Sequence, residues 1–258
     1  MFLRELLVVI PHSGIIVPEE IPLGSLSERF PTLVRNVDWY TNWLYDFRDV
    51  LDNRHIVFPY CSLILEANRH PGILEDSVPL VDVRGEAVYK AGREPSEEVR
   101  KLLAKRYLGA FHGAIEESIG AGAEFLLDGH STVTARGVAD NQIDLMNFQH
   151  SRLDEGPKYY SPEIYVETYA AELRRRLAGV KVTVNSSEYY TVHGHVCAEH
   201  SVNAMGREGT RAPAIIQETN ERLYKNEDRT PNVEAINRLR RGFAEAICAT
   251  LQKIRHTQ

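Results

Sequence analysis

Short unbroken apolar runs alternate along this chain with longer stretches in which apolar residues recur every three or four positions. The runs are "LLVVI" at 6–10, "FLL" at 125–127, "IDLMNF" at 143–148 and "APAIIQETN" at 212–220. Runs of this kind suit strands buried on both faces, as in a parallel sheet covered by helices. "HIVFPY" at 55–60, "SLILEAN" at 62–68 and "VKVTVNS" at 180–186 predict further strands.

The helical spacing is equally plain. Val37, Tyr40, Leu44, Phe47 and Leu51 predict an amphipathic helix with Asn36 as its N-cap. Val99, Leu103, Tyr107, Phe111 and Ile115 predict a long helix, capped by Ser96 and ended near Gly120–Gly122, with Glu97 and Glu98 in its positive first turn. "SPEIYVETYAAELRRRLAG" at 161–179 carries a cap in Ser161, a first-position Pro162 and a terminal Gly179. "TPNVEAINRLRRGFAEAICATLQKI" at 230–254 predicts a closing helix capped by Thr230. Residues 71–95 read as a loop with a small hairpin around Gly85, and 188–212 as a loop rich in histidine and glycine. Strands alternating with helices predict an α/β three-layer sandwich around a central, mostly parallel (mixed) sheet. With no internal repeat and no linker, one domain over 1–258 is expected.

Composition narrows the function classes. A net charge of −6 argues against a general nucleic-acid binder, which carries a basic surface. No apolar run reaches the length of a bilayer span, so no membrane partner is expected. Residues 1–10 lack a small-residue cleavage site after the apolar run and read as a first strand. Cys61, Cys197 and Cys248 are odd in number and far apart, which suits buried thiols in a reducing cytosol, hence a cytoplasmic location.

The chemistry lies just past the apolar runs. In open α/β sheets ligands bind beyond the carboxyl ends of the strands. His12 follows the first run; Asn68, Arg69 and His70 follow "SLILEA"; Asp128 and His130 follow "FLL"; Glu218 follows "AIIQ". Each has a simpler role available: a structural hydrogen bond for either histidine, a turn cap for Asp128, ion pairs for Arg69 with Glu66 and for Glu218 with Arg222. Four strand tips sharing the same habit favour metal-assisted hydrolysis. Imidazoles are good zinc ligands, and a nearby carboxylate can take the proton of an activated water. Asp128 lies two residues before His130, on the same side of a strand, where it can orient the imidazole. Arg69 offers a planar fork for a substrate carboxylate. No G-x-S-x-G elbow is present for a serine nucleophile.

These same residues carry a resemblance. "IPHSG", "DWYTNWLYD", "EANRHP", "LDGHS" and "IIQETNERLY", spread over about residues 8–225, resemble the N-formylglutamate amidohydrolase (deformylase) family. That family is similar in fold to the zinc carboxypeptidases. The resemblance implies His12 and His130 as metal ligands, Glu218 as general base, and Asn68 and Arg69 at a substrate carboxylate. The cofactor it implies is zinc or another divalent metal, and the partner is a small N-acyl amino acid. Carboxypeptidases place a glutamate three residues after the first histidine, where this chain has Ile15. Asp38 is the candidate third ligand, ahead of Glu19 and Glu20; an acid favouring a helix dipole is the alternative. "TVHGHVCAEH" departs from the family's pattern, and His193, His195 and His200 are candidates for substrate, transition-state or second-metal contacts. The implied activity is hydrolysis of a formyl or other short acyl amide; a carboxypeptidase-like peptidase and a non-catalytic metal-binding protein are the competing readings.

Overall fold

The computed structural model describes residues 3–134, 138–150, 157–186, 196–205 and 212–257. Its strands are β1 (Leu6–Ile10), β2 (Arg54–Val57), β3 (Phe125–Thr132), β4 (Gln142–Met146), β5 (Phe148–His150), β6 (Pro157–Tyr159), β7 (Lys181–Val184) and β8 (Ala214–Asn220). Six of them form one sheet in the order β2-β1-β3-β8-β4-β7, and β5 with β6 makes a separate antiparallel ribbon. Every pairing in the large sheet is parallel except β4 with β8, so the sheet is mixed and mostly parallel.

Alternate residues of the central strands enter two apolar layers, as a period of two requires. Leu7, Val9, Leu126 and Ile216 pack with Leu103, Phe111, Ile115, Cys197 and Ala198. These come from helices α1 (Glu97–Leu103), α2 (Gly109–Gly120) and α4 (Val196–Met205). Leu6, Val8, Leu127 and Ile215 pack the other way, against Val166, Tyr169, Leu173, Leu239 and Phe243. Those belong to α3 (Glu163–Arg176) and α5 (Val233–Thr257). The result is the expected three-layer α/β architecture. Among the described residues no helix is long and apolar enough to cross a membrane.

Ser96 caps α1 as expected, its hydroxyl accepting the Val99 N–H. A π-helical turn, Ala104–Leu108, joins α1 to α2. The hairpin at Gly85 is present as a Val81–Ala87 bridge, with Gly85 at φ +81°. Elsewhere the pattern misled. The helix expected through 37–51 is two four-residue helices, Thr41–Leu44 and Arg48–Leu51, and Asn36 ends a 3-10 turn instead of capping it. Tyr40, left-handed at φ 69°, interrupts the path. Residues 62–68 form a turn, not a strand: the N–H groups of Ile64 and Leu65 both donate to the Cys61 carbonyl. A short apolar run satisfies a buried turn as well as a strand. Pro162 takes the N-cap position of α3 in place of Ser161. Asn232, not Thr230, caps α5 by accepting the Ala235 N–H at 3.0 Å. Within the expected loop 188–212 lies α4.

Candidate metal centre

β1 pairs with β2 on one side and β3 on the other, so the strand order reverses at β1, and its carboxyl end is the switch point at which open α/β sheets place their ligands. His12 lies just past β1, and His130 lies near the end of β3. Pairing of Val9 with Asp128 brings the two tips level. On the far side of β3, Glu218 of β8 is the register partner of His130. Neighbours in register share a face, so both project toward the layer that holds α2 and α4.

Asp38 completes the group. Its backbone N–H donates to the His12 carbonyl at 3.2 Å, and its Oδ2 accepts the Ser131 N–H at 3.0 Å. Those two bonds hold residue 38 against both strand tips and out of a helix, which begins only at Thr41. Oδ2 lies 3.7 Å from His12 Nδ1 and 3.6 Å from His130 Nδ1, and the two Nδ1 atoms are 3.2 Å apart. In a tetrahedral site with bonds of about 2.0–2.2 Å, ligand atoms stand roughly 3.3–3.6 Å from one another. Among the described residues this is the group of histidine, cysteine and carboxylate side chains arranged to hold a metal ion.

The outer nitrogens of both rings face acids. His12 Nε2 bonds the Glu66 carboxylate, and His130 Nε2 lies 3.0 Å from Asp128 Oδ1. Carboxylates there favour N–H on Nε2 and leave the Nδ1 lone pairs facing each other beside Asp38. Such a cluster of lone pairs calls for a cation or for protons. The donor set therefore fits a divalent metal.

A tyrosine braces His130 from behind. The Tyr45 hydroxyl lies 2.9 Å from the His130 carbonyl, 3.2 Å from that of Gln217 and 2.8 Å from Thr219 Oγ1. Its ring lies so close to β3 that a methyl on Gly129 would stand 2.8 Å from Tyr45 Cδ2 and 2.9 Å from Ile10 Cδ1. The glycine in "DGH" thus separates Asp128 and His130 on one face while admitting a buried aromatic on the other.

The charges are strongly coupled. Burial opposes charge on His12, but the Glu66 carboxylate and Asp38 outweigh it and raise the imidazole to about 9. His130 is raised too, its burial overcome mainly by Asp128. Asp38 resists its own burial through both histidines and is held below the usual carboxylate range. Glu66 is buried as well, yet His12 draws it down to about 2. Glu218 goes the other way. Burial, with Asp38 and Asp128 adding repulsion against the pull of His130 and His12, pushes it to about 8.

The family model for N-formylglutamate amidohydrolase matches residues 4–225. The chain belongs to the N-formylglutamate amidohydrolase family. An N-formylglutamate deformylase of Pseudomonas putida is 25% identical over 138 residues, which span 49% of this chain and 51% of that protein. The chain thus matches about half the length of that curated relative. The crystal structure of N-formylglutamate amidohydrolase from Ralstonia eutropha JMP134 superposes with a TM-score of 0.73 at 17% identity, covering 100% of this chain and 96% of the other. A protein of Agrobacterium tumefaciens superposes at 0.62 with 16% identity, covering 95% of this chain and 91% of the other. At these identities the two structures speak to the fold.

The remaining expected residues lie around this group or outside the described residues. Asn68 is buried, with Nδ2 at 3.1 Å from His130 Nε2 and Oδ1 accepting the Cys197 N–H at 3.0 Å. Its amide is engaged with the protein at His130. Arg69 is half-buried beside Glu66, with Nη1 donating to the Asn68 carbonyl at 3.0 Å. His193 and His195 lie outside the described residues. Glu66 was not among the expected site residues, although "EANRHP" contains it; reading 62–68 as a strand hid its position at the tip of β1.

His200 lies away from the metal-type cluster. It is buried on α4, its Nε2 at 3.0 Å from His112 Nδ1 of α2. Burial and then His200 itself depress His112 to about 4. An unfolded histidine titrates near 6.5, so between those values the unfolded chain binds more protons than the folded one. The stability contributed by neutral His112 is complete above about pH 6.5 and is lost as pH falls toward 4. Across that interval the thermal unfolding midpoint of the wild type should therefore fall relative to that of His112→Asn. Identical pH profiles for the two proteins would dismiss this link.

Proposed function

We propose that this protein is a metal-dependent amidohydrolase that removes a formyl or other short acyl group from an acidic amino acid such as N-formylglutamate. The observation that carries the reading is the meeting of His12 Nδ1, His130 Nδ1 and Asp38 Oδ2, with Glu218 in register beside His130. The family match supports the amide substrate.

His12, His130 and Asp38 would hold the metal, with zinc best suited to two imidazoles and one carboxylate. When bound, such a cation acidifies water and polarises an amide carbonyl. The chain's own groups do the rest. Glu66 and Asp128 keep the two imidazoles turned with Nδ1 inward. Glu218, placed where a nearby cation favours its ionised form, takes a proton from the attacking water. It then returns that proton to the departing amine nitrogen as the amide C–N bond breaks, giving formate and the free amino acid. Arg69 receives the substrate carboxylate.

The test of the substrate class is Arg69→Lys, which keeps the charge and loses the fork. With N-formyl-L-glutamate, kcat/KM should fall at least tenfold, mostly through KM, while metal content is unchanged. Equal kinetics for variant and wild type would return Arg69 to a structural role.

A further inference from the structure

The layer on the opposite face of the sheet from the histidines holds a cavity of its own. It encloses about 380 Å³ between the end of α3 and the first half of α5. Arg176, Arg238 and Arg241 line it, with Asn237, Glu245 and an apolar floor of Leu177 and Gly242. The floor depends on that glycine. A methyl at 242 would stand 2.5 Å from Leu177 Cδ2, so a residue that weakens a helix interior is used to bring α5 close to the exit of α3.

The arginines differ in how they are employed. Arg176, largely buried, binds the Glu172 carboxylate and approaches Glu245 at 3.6 Å. Its Nε is buried without a hydrogen-bond partner among the described residues. Arg240, on another face of the same helix, grips Asp49 with both terminal nitrogens at 2.9 and 2.7 Å. Arg238 and Arg241 are exposed, and neither makes a hydrogen bond or ion pair among the described residues. Two free guanidinium forks thus line one hollow beside Arg176, which is already paired with Glu172, and the single lining acid is Glu245, in a chain of net charge −6. A solvated helix face would scatter such charges; here three surround a concavity at the lower end of small-ligand size.

We propose that this groove binds a small anion with at least two charged oxygens, recognised by the forks of Arg238 and Arg241 over the Leu177–Gly242 floor. A phosphate group and a dicarboxylate share that chemistry, because a guanidinium pairs with either through two parallel N–H donors. The site faces away from the metal-type cluster, so its ligand is separate from the acyl substrate.

The experiment titrates the full-length protein with inorganic phosphate and, separately, with succinate, at constant ionic strength set by sodium chloride. The arginine Nε–Hε resonances are followed by NMR, with single variants supplying the assignments. The expected result is a saturable shift of the Arg176, Arg238 and Arg241 signals with one or both probes. The probe that saturates identifies the ligand class. In Arg238→Ala/Arg241→Ala, which alters only exposed side chains, the Arg176 shift should weaken at least tenfold in apparent affinity. Linear shifts matching those of chloride would overturn the proposal. So would an Arg176 response unchanged in the double variant, which would place the anion elsewhere.

Discussion

Replacing Glu218 by glutamine should reduce kcat for N-formyl-L-glutamate by roughly 10²-fold or more, while metal content stays at the wild-type level. Glutamine preserves the shape of the side chain and cannot accept a proton as a carboxylate does. The position makes the substitution informative. Glu218 is the register partner of His130, and in the protein without metal its carboxyl is pushed up to about 8 by burial and by Asp38 and Asp128. A dication close by favours the ionised form, so the working base should titrate below 8. The rising limb of kcat/KM with pH should therefore lie under pH 8 in the wild type and be absent from the variant. Near-normal turnover in Glu218→Gln would mean that the proton goes to another group.

Replacing His12 by alanine should lower bound zinc to a small fraction of one equivalent per chain after gel filtration and abolish hydrolysis. Two protein ligands are too few for a site that ordinarily uses three protein ligands and a water. His130→Ala should have the same effect on metal, with a larger cost in stability, because it leaves the fully buried Asp128 carboxylate without the imidazole at 3.0 Å. His12 is the cleaner probe, since its ring is only partly buried. Full zinc occupancy in both variants would remove these residues from the metal site.

Much of this arrangement is legible from residue order alone. β1, β3 and β8 are continuous apolar runs that end in His12, Asp128, His130 and Glu218. A parallel sheet buried on both faces writes that pattern directly into the chain. What could not be read depends on tertiary bonds. The stripe from Val37 to Leu51 has helical spacing, yet the Asp38 bonds to the His12 carbonyl and the Ser131 N–H pull the chain into a turn. Periodicity carries no trace of a bond to a residue ninety positions away. "SLILE" is apolar because Ile64 and Leu65 fill the core from a turn, and the strand reading moved Glu66 away from His12. Asn68 is expected with Arg69 at the substrate carboxylate, and its amide stands beside His130, held there by the Cys197 N–H of α4. Because α4 lies in a stretch that reads as loop, that partner was invisible. The role of Gly129 also emerges only in three dimensions, through the Tyr45 ring behind it.

On the proposed function, one metal ion held by His12, Asp38 and His130 is required for amide hydrolysis. The most direct test of this requirement is a zinc titration of chelator-treated protein, with release of formate from N-formyl-L-glutamate followed at each addition. Turnover should be negligible without metal and should rise in proportion to added zinc until it levels off at one equivalent per chain. Asp38→Ala should need far more zinc to reach any plateau. Undiminished turnover in the chelator-treated protein, with no metal bound, would show that hydrolysis does not depend on a metal.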